Sequence, residues 1–72
     1  MSECAKALGD CVYRYRKKRN MTQAALAEST GVTEQTIRKI EHGEGNPQLD
    51  VLSALIEVLQ IDPTEIFYPS ET

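Results

Sequence analysis

Residues 22–42 read TQAALAESTGVTEQTIRKIEH, two short helical patterns on either side of a glycine. The first opens at Thr22 and Gln23 and carries Leu26 and Ala27 inward. Gly31 supplies a residue that takes positive φ where that helix ends. Val32 plugs the turn, and Thr33 suits the N-cap of a second helix that carries Ile37 and Ile40 inward. Ala27 is small enough to let the two helices come close. Gln23, Leu26, Ala27, Thr30, Gly31, Val32, Ile37 and Ile40 together make the helix-turn-helix pattern, whose second helix lies in the major groove of DNA. An ordinary αα-hairpin inside a bundle does not require this set at this spacing.

Outward from that stretch, the remaining sequence reads as further helices. Helix 1 is expected over about 4–19, with Leu8, Val12, Tyr15 and Arg16 along one stripe and Asn20 as its stop. Helix 2 is expected over about 23–30 and helix 3 over about 34–42. Gly43, Gly45, Asn46 and Pro47 form a loop with strong turn chemistry. Helix 4 is expected over about 49–60, with Leu49, Leu52, Leu55, Ile56 and Leu59 at helical spacing. Asp62 then caps a short fifth helix, with Pro63 at its first position, Glu65 completing a capping-box-like pattern, and Ile66 and Phe67 as its apolar residues. No run alternates long enough to support a strand. The expected fold is all-α, a compact five-helix domain covering residues 1–72.

Seventy-two residues bury only a small core, so help is expected from disulfides, metal or self-association. Cys4 and Cys11 stand seven residues apart. On one helix that places them roughly 10.5 Å apart along the axis, beyond the reach of about 7 Å between Cα atoms that a disulfide needs. These two cysteines and the single histidine do not have zinc-site spacing, so no metal and no cofactor are expected. Self-association remains. No apolar run is long enough to span a membrane, and the N-terminus lacks a signal peptide's hydrophobic segment, so the expected location is the cytoplasm.

The net charge of −3 argues at first against nucleic acid, but its distribution does not. Residues 1–42 hold all eight basic residues and carry +3, whereas residues 43–72 hold six acids and no Lys or Arg. The basic half is the half with the helix-turn-helix, and a local basic face outweighs the total. The acidic half is expected to face away from DNA.

The stretches LGDCVYRYRKKRNMTQAALA, GVTEQTIRKIEHG, NPQLDVL and IDPTEIF resemble the Cro/CI-type helix-turn-helix domain, also called the lambda-repressor-like or XRE family, over roughly residues 8–67. The resemblance implies five helices, sequence-specific binding of double-stranded DNA, usually as a two-fold dimer, and transcriptional regulation, often repression. Asn20 departs from the usual glycine, and Ile56 and Gln60 stand where Ala and Gly are common. None of the three touches the DNA-reading helix.

With Ile37 inward, Gln35, Lys39 and His42 fall within about 40° of directly opposite on helix 3. Arg38 and Thr36 flank that stripe. Gln35 suits adenine N6 and N7, Lys39 suits guanine O6 or N7, and Thr36 suits a thymine methyl or a base hydrogen bond. Glu34 suits cytosine N4 or, equally, the positive end of its own helix. These four are the candidate base readers. The resemblance implies a phosphate bond from Gln23, which agrees with its place at a helix N-terminus. Thr33, Arg38, His42 and Gly43 complete the candidate phosphate set, the last two through the loop after helix 3. The resemblance also implies that Arg16 on the helix 1 core stripe pairs with Glu41 on the inward side of helix 3, a structural role.

No nucleophile with a paired base and no phosphate-cradling glycine loop is present, so no catalytic residue and no enzyme are expected. A homodimer is expected through Ile61, Ile66, Phe67 and Tyr68, because two recognition helices are needed for a selective site and this short apolar run exceeds what its own helix can hide. The competing reading is a protein-interaction module, such as an antitoxin whose main contact is a partner protein.

Overall fold

The computed structural model describes residues 3–67, and it is all-helical, with no strand among the described residues. Helices α1 (Glu3–Lys18), α2 (Gln23–Thr30), α3 (Glu34–Glu41) and α4 (Leu49–Leu59) are followed by a single helical turn, Thr64–Phe67. The α2 and α3 helices are eight residues each, too short to persist alone, so packing must hold them. Among the described residues no helix is long and apolar enough to cross a membrane.

The chain ends each of these helices with one backbone device. Asn20, Gly31, Gly43 and Gln60 take positive φ, of 56°, 78°, 75° and 58°. The next residue's N–H then reaches back to the last turn: Met21 to Arg16 O, Val32 to Ala27 O, Glu44 to Lys39 O and Ile61 to Ile56 O. This is the Schellman cap, which satisfies carbonyls that a helix end leaves orphaned. Gln60 holds the left-handed position that glycine usually fills, so the helix stops there without one, at the cost of a Cβ in a crowded conformation.

The residue after each cap decides where the chain goes next. Met21 and Val32 pack against the core, and Ile61 is part of it. That core comprises Leu8, Cys11 and Val12 from α1, Leu26 and Ala27 from α2, Ile37 and Ile40 from α3, Leu55 and Leu59 from α4, and Ile61. Fully burying a side chain such as Leu26 contributes about 1.5–3 kcal/mol. Cys11 is a free, buried cysteine whose thiol is pushed up in pKa by burial, so it stays a packing group rather than a nucleophile.

Two expectations are corrected here. Ile61 does not belong to a contact surface: it is 4% exposed, because the cap at Gln60 folds it back onto the core of its own chain. Leu49 is 77% exposed although it shares the helical spacing of α4, since it is the first residue of that helix and precedes the part that meets the core. The side chains of Ile66 and Phe67, and all of Tyr68, lie outside the described residues, as does the side chain of Cys4.

Gly9 sits in the middle of α1, where a glycine weakens a helix. Its reason is contact. A Cβ at this position would lie 2.5 Å from the carbonyl oxygen of Ile40 and 2.9 Å from that of Glu41. Backbone of α1 therefore rests directly on the last turn of α3.

Candidate nucleic-acid interface

The site begins with the start of α3. Thr33 is extended (φ −83°, ψ 157°), and its Oγ1 accepts from Thr36 N at 3.2 Å. Its hydroxyl also bonds that of Thr36 at 2.9 Å, so both candidate contacts are engaged with each other. Acidic Glu34 opens the helix and basic Arg38 and Lys39 close it, which suits the helix dipole at both ends.

Ile37 and Ile40 point α3 inward, and this sets the rest. Glu34, Gln35, Arg38, Lys39 and His42 are exposed, Thr36 is half-buried, and Gly43 is buried. Gln35, Arg38, Lys39 and His42 line one shallow depression, so two candidate base readers and two candidate phosphate groups are brought together. Glu44 lines the same depression. The acidic half thus does not face wholly away from the site: the cap at Gly43 turns Glu44 back beside Lys39. Arg38 Nη2 lies 3.5 Å from Glu34 Oε2, both about half exposed, a pair worth only about 0.3–0.5 kcal/mol and easily exchanged for another partner.

Gln23 belongs to a different depression, shared with Lys17, Asn20, Thr22 and Glu34. Thr22 Oγ1 caps α2 by accepting from Ala25 N at 3.0 Å, and no acid occupies the first turn of α2. That helix start therefore presents N–H groups and a positive dipole end with no carboxylate in its own first turn to oppose an anion. Glu34 spans the two depressions by lining this one and pairing with Arg38 of the other.

Beneath both lies a buried ion pair. Arg16 Nε donates to Glu41 Oε2 at 2.5 Å and Nη2 donates to Oε1 at 3.0 Å. Nη1 donates to Met21 O at 2.9 Å, and the guanidinium stands 5.4 Å from the ring centre of Tyr13. The two side chains are 9% and 5% exposed. Hydrogen bonding to Glu41 holds the Arg16 guanidinium above its ordinary pKa. One side chain thereby ties together the end of α1, the turn into α2 and the end of α3.

Two features of the site were not foreseen from the residues alone. Gly9 is one; its signal is a glycine inside an otherwise helical pattern. The other is the Gln23 amide, which donates to Glu41 Oε1 at 3.1 Å. Among the described residues, no group of three or more His, Cys, Asp or Glu could hold a metal ion.

The profile of the helix-turn-helix family matches residues 12–66. An uncharacterized HTH-type transcriptional regulator of Sinorhizobium fredii, y4aM, is 33% identical over 60 residues, which are 83% of this chain and 42% of that protein. An uncharacterized HTH-type transcriptional regulator of Archaeoglobus fulgidus is 36% identical over 56 residues, 78% of this chain and 79% of that one. The chain therefore spans less than half the length of the first relative and most of the second. In fold it is similar to the clp gene regulator ClgR of Corynebacterium glutamicum, with a TM-score of 0.82 at 19% identity over 94% of this chain and 72% of that one. It is also similar to a mutant of the restriction–modification controller protein C.Esp1396I, with a TM-score of 0.79 at 21% identity over 93% and 89% of the two chains. With the motif, its buried ion pair and these matches in place, the chain belongs to the XRE-type helix-turn-helix family of DNA-binding transcriptional regulators.

Proposed function

We propose that this chain is a sequence-specific transcriptional repressor that binds a palindromic operator in double-stranded DNA as a homodimer in the cytoplasm. Residues 1–72 act as one DNA-binding domain, with the turn Thr64–Phe67 as its fifth helix. The observation that carries the reading is the outward face of α3: Gln35, Lys39 and His42 stand exposed on the side opposite buried Ile37 and Ile40. A helix anchored on one face and polar on the other is what entry into a major groove requires.

Glu34, Gln35, Thr36 and Lys39 read base edges, while Gln23, Thr33, Arg38, His42 and Gly43 set the register on phosphates. Repression accords with the resemblance to Cro/CI-type domains. The dimer forms through Ile66, Phe67 and Tyr68; Ile61 is excluded by its burial.

Selection from a random pool of duplex DNA tests this. The expected product is a site with two half-sites centred about 34 Å apart, bound with an affinity that falls steeply with salt. Recovery of no enriched sequence, with binding indifferent to salt, would sink the reading.

A further inference from the structure

Gln23 opens α2 and Glu41 closes α3, yet the Gln23 Nε2 group donates to Glu41 Oε1 at 3.1 Å. That oxygen also accepts from Arg16 Nη2 at 3.0 Å, and Arg16 Nε holds the other oxygen at 2.5 Å. A primary amide carries two N–H donors. With one committed to Glu41, the rotamer of Gln23 and the orientation of its amide are both fixed. Without that bond, a half-buried glutamine at the rim of the depression would have to give up rotamer freedom on meeting an anion. A bare carboxylate here would repel a phosphate. Arg16 cancels that charge, so Glu41 can accept the hydrogen bond without spoiling the local field.

We propose that Glu41, backed by Arg16, is a positioning residue for DNA: it holds the Gln23 amide so that its second N–H meets one backbone phosphate in the depression lined by Lys17, Asn20 and Thr22. Arg16 then has no phosphate partner of its own, although it belongs to the densest basic run of the chain. The inference rests on the reading of Gln23 as a phosphate contact.

The test uses the full chain and a duplex recovered by random-pool selection, remade with a neutral methylphosphonate at one phosphate at a time. In the wild type, one such replacement is expected to weaken binding about tenfold, the worth of a hydrogen bond to a charged group. Gln23→Ala is expected to lose the same factor and to become indifferent to that replacement. The double variant Arg16→Met with Glu41→Leu keeps a packed interior, since apolar replacement of a buried pair is often tolerated. It is expected to melt near the wild type, to lose about tenfold in affinity, and to be indifferent to that phosphate although Gln23 is present. A double variant that keeps wild-type sensitivity there overturns the proposal and leaves the phosphate reading of Gln23 standing. A Gln23→Ala variant that keeps the full sensitivity profile overturns both.

If the double variant does not fold, the side-chain amide resonances of Gln23 in the free wild type decide. One Nε2 proton shifted downfield and slow to exchange supports the proposal, and two fast-exchanging protons overturn it.

Discussion

The helix-turn-helix with its supporting α1 and the segment from α4 onward are held by different forces. Between α1, α2 and α3, the chain spends a buried ion pair, a carbonyl contact from Arg16 to Met21 and a glutamine amide on three points of attachment. The segment from α4 joins through Leu55, Leu59 and Ile61, which are nondirectional. Its polar ties to α1 are a long contact from the buried Cys11 thiol to Glu65 O at 3.7 Å and two nearer the surface: the Tyr15 hydroxyl donates to the Glu65 carboxylate, and Arg14 stands 3.6 Å from it. The caps repeat the contrast. After α1, α2 and α4 the following residue is apolar and packs inward, whereas after α3 it is Glu44, turned to the exposed side. Directional contacts fix the angle of a helix, and apolar ones fix mainly its proximity. The part expected to place side chains against bases is the part that carries the directional contacts.

Breaking the directional set gives the largest expected effect. Arg16→Ala leaves the Glu41 carboxylate buried without its cation and is expected to destabilise the fold by about 3–5 kcal/mol, measured by thermal or denaturant melts without DNA. An unchanged melting curve would move Arg16 into the phosphate-binding set. Gly9→Ala sets a gain of about 1 kcal/mol in helix propensity against a collision with backbone that cannot step aside. The net loss is expected to be about 1–3 kcal/mol, with weaker DNA binding because the end of α3 must shift.

Gln35→Ala touches neither set of contacts. Its melting curve is expected to match the wild type, while affinity for the preferred site falls by about 1–3 kcal/mol and preference relaxes at one base pair. Affinities across single-base variants of the site check this, and a uniform loss would show that Gln35 is a phosphate contact. On the α4 side the sign reverses. Gln60→Gly removes a Cβ from a left-handed position, and after the added freedom of the unfolded chain is subtracted, a gain of about 0.5 kcal/mol is expected in the same melts.

The smallest effect concerns pH. The hydrogen bond to Glu65 raises the pKa of Tyr15 above its ordinary 10.0. A raised value favours the protonated phenol in the folded state, so the stability it lends is complete below about pH 10 and is lost as pH climbs through the raised value. Absorbance titration is expected to show the last tyrosinate to form missing in Tyr15→Phe. A variant that keeps the late step and loses an earlier one would place the late tyrosine elsewhere.

The helix-turn-helix was legible because its punctuation is local. Thr22, Gly31 and Thr33 name the caps by residue type, and α2 begins and ends where they place it. Asn20 was equally readable as a stop. Gln60 was not, because glutamine carries no preference for positive φ, and the burial of Ile61 follows from that cap. Gly9 was opaque for a different reason: the sequence records a missing side chain but not the partner that needs the space. The direction of Glu44 and the bond from Gln23 to Glu41 depend on how α3 lies across its neighbours, which helical periodicity leaves open. The Arg16–Glu41 pair lay between these cases, since the stripe positions pointed both residues inward and the family resemblance named them as partners.

The contact at Gly9 has a consequence for how tightly a sequence can be read. Side chains behind a helix can hop between rotamers and let it rock, but a peptide carbonyl resting on another backbone has no such alternatives. The end of α3 is therefore seated on something that cannot be repacked at small cost. A reading element with few orientations loses little entropy when it docks, and it cannot tilt to accommodate a wrong base. Under the proposed function, the absence of one methyl group on α1 is expected to sharpen discrimination on the opposite side of α3, among atoms that Gly9 never meets.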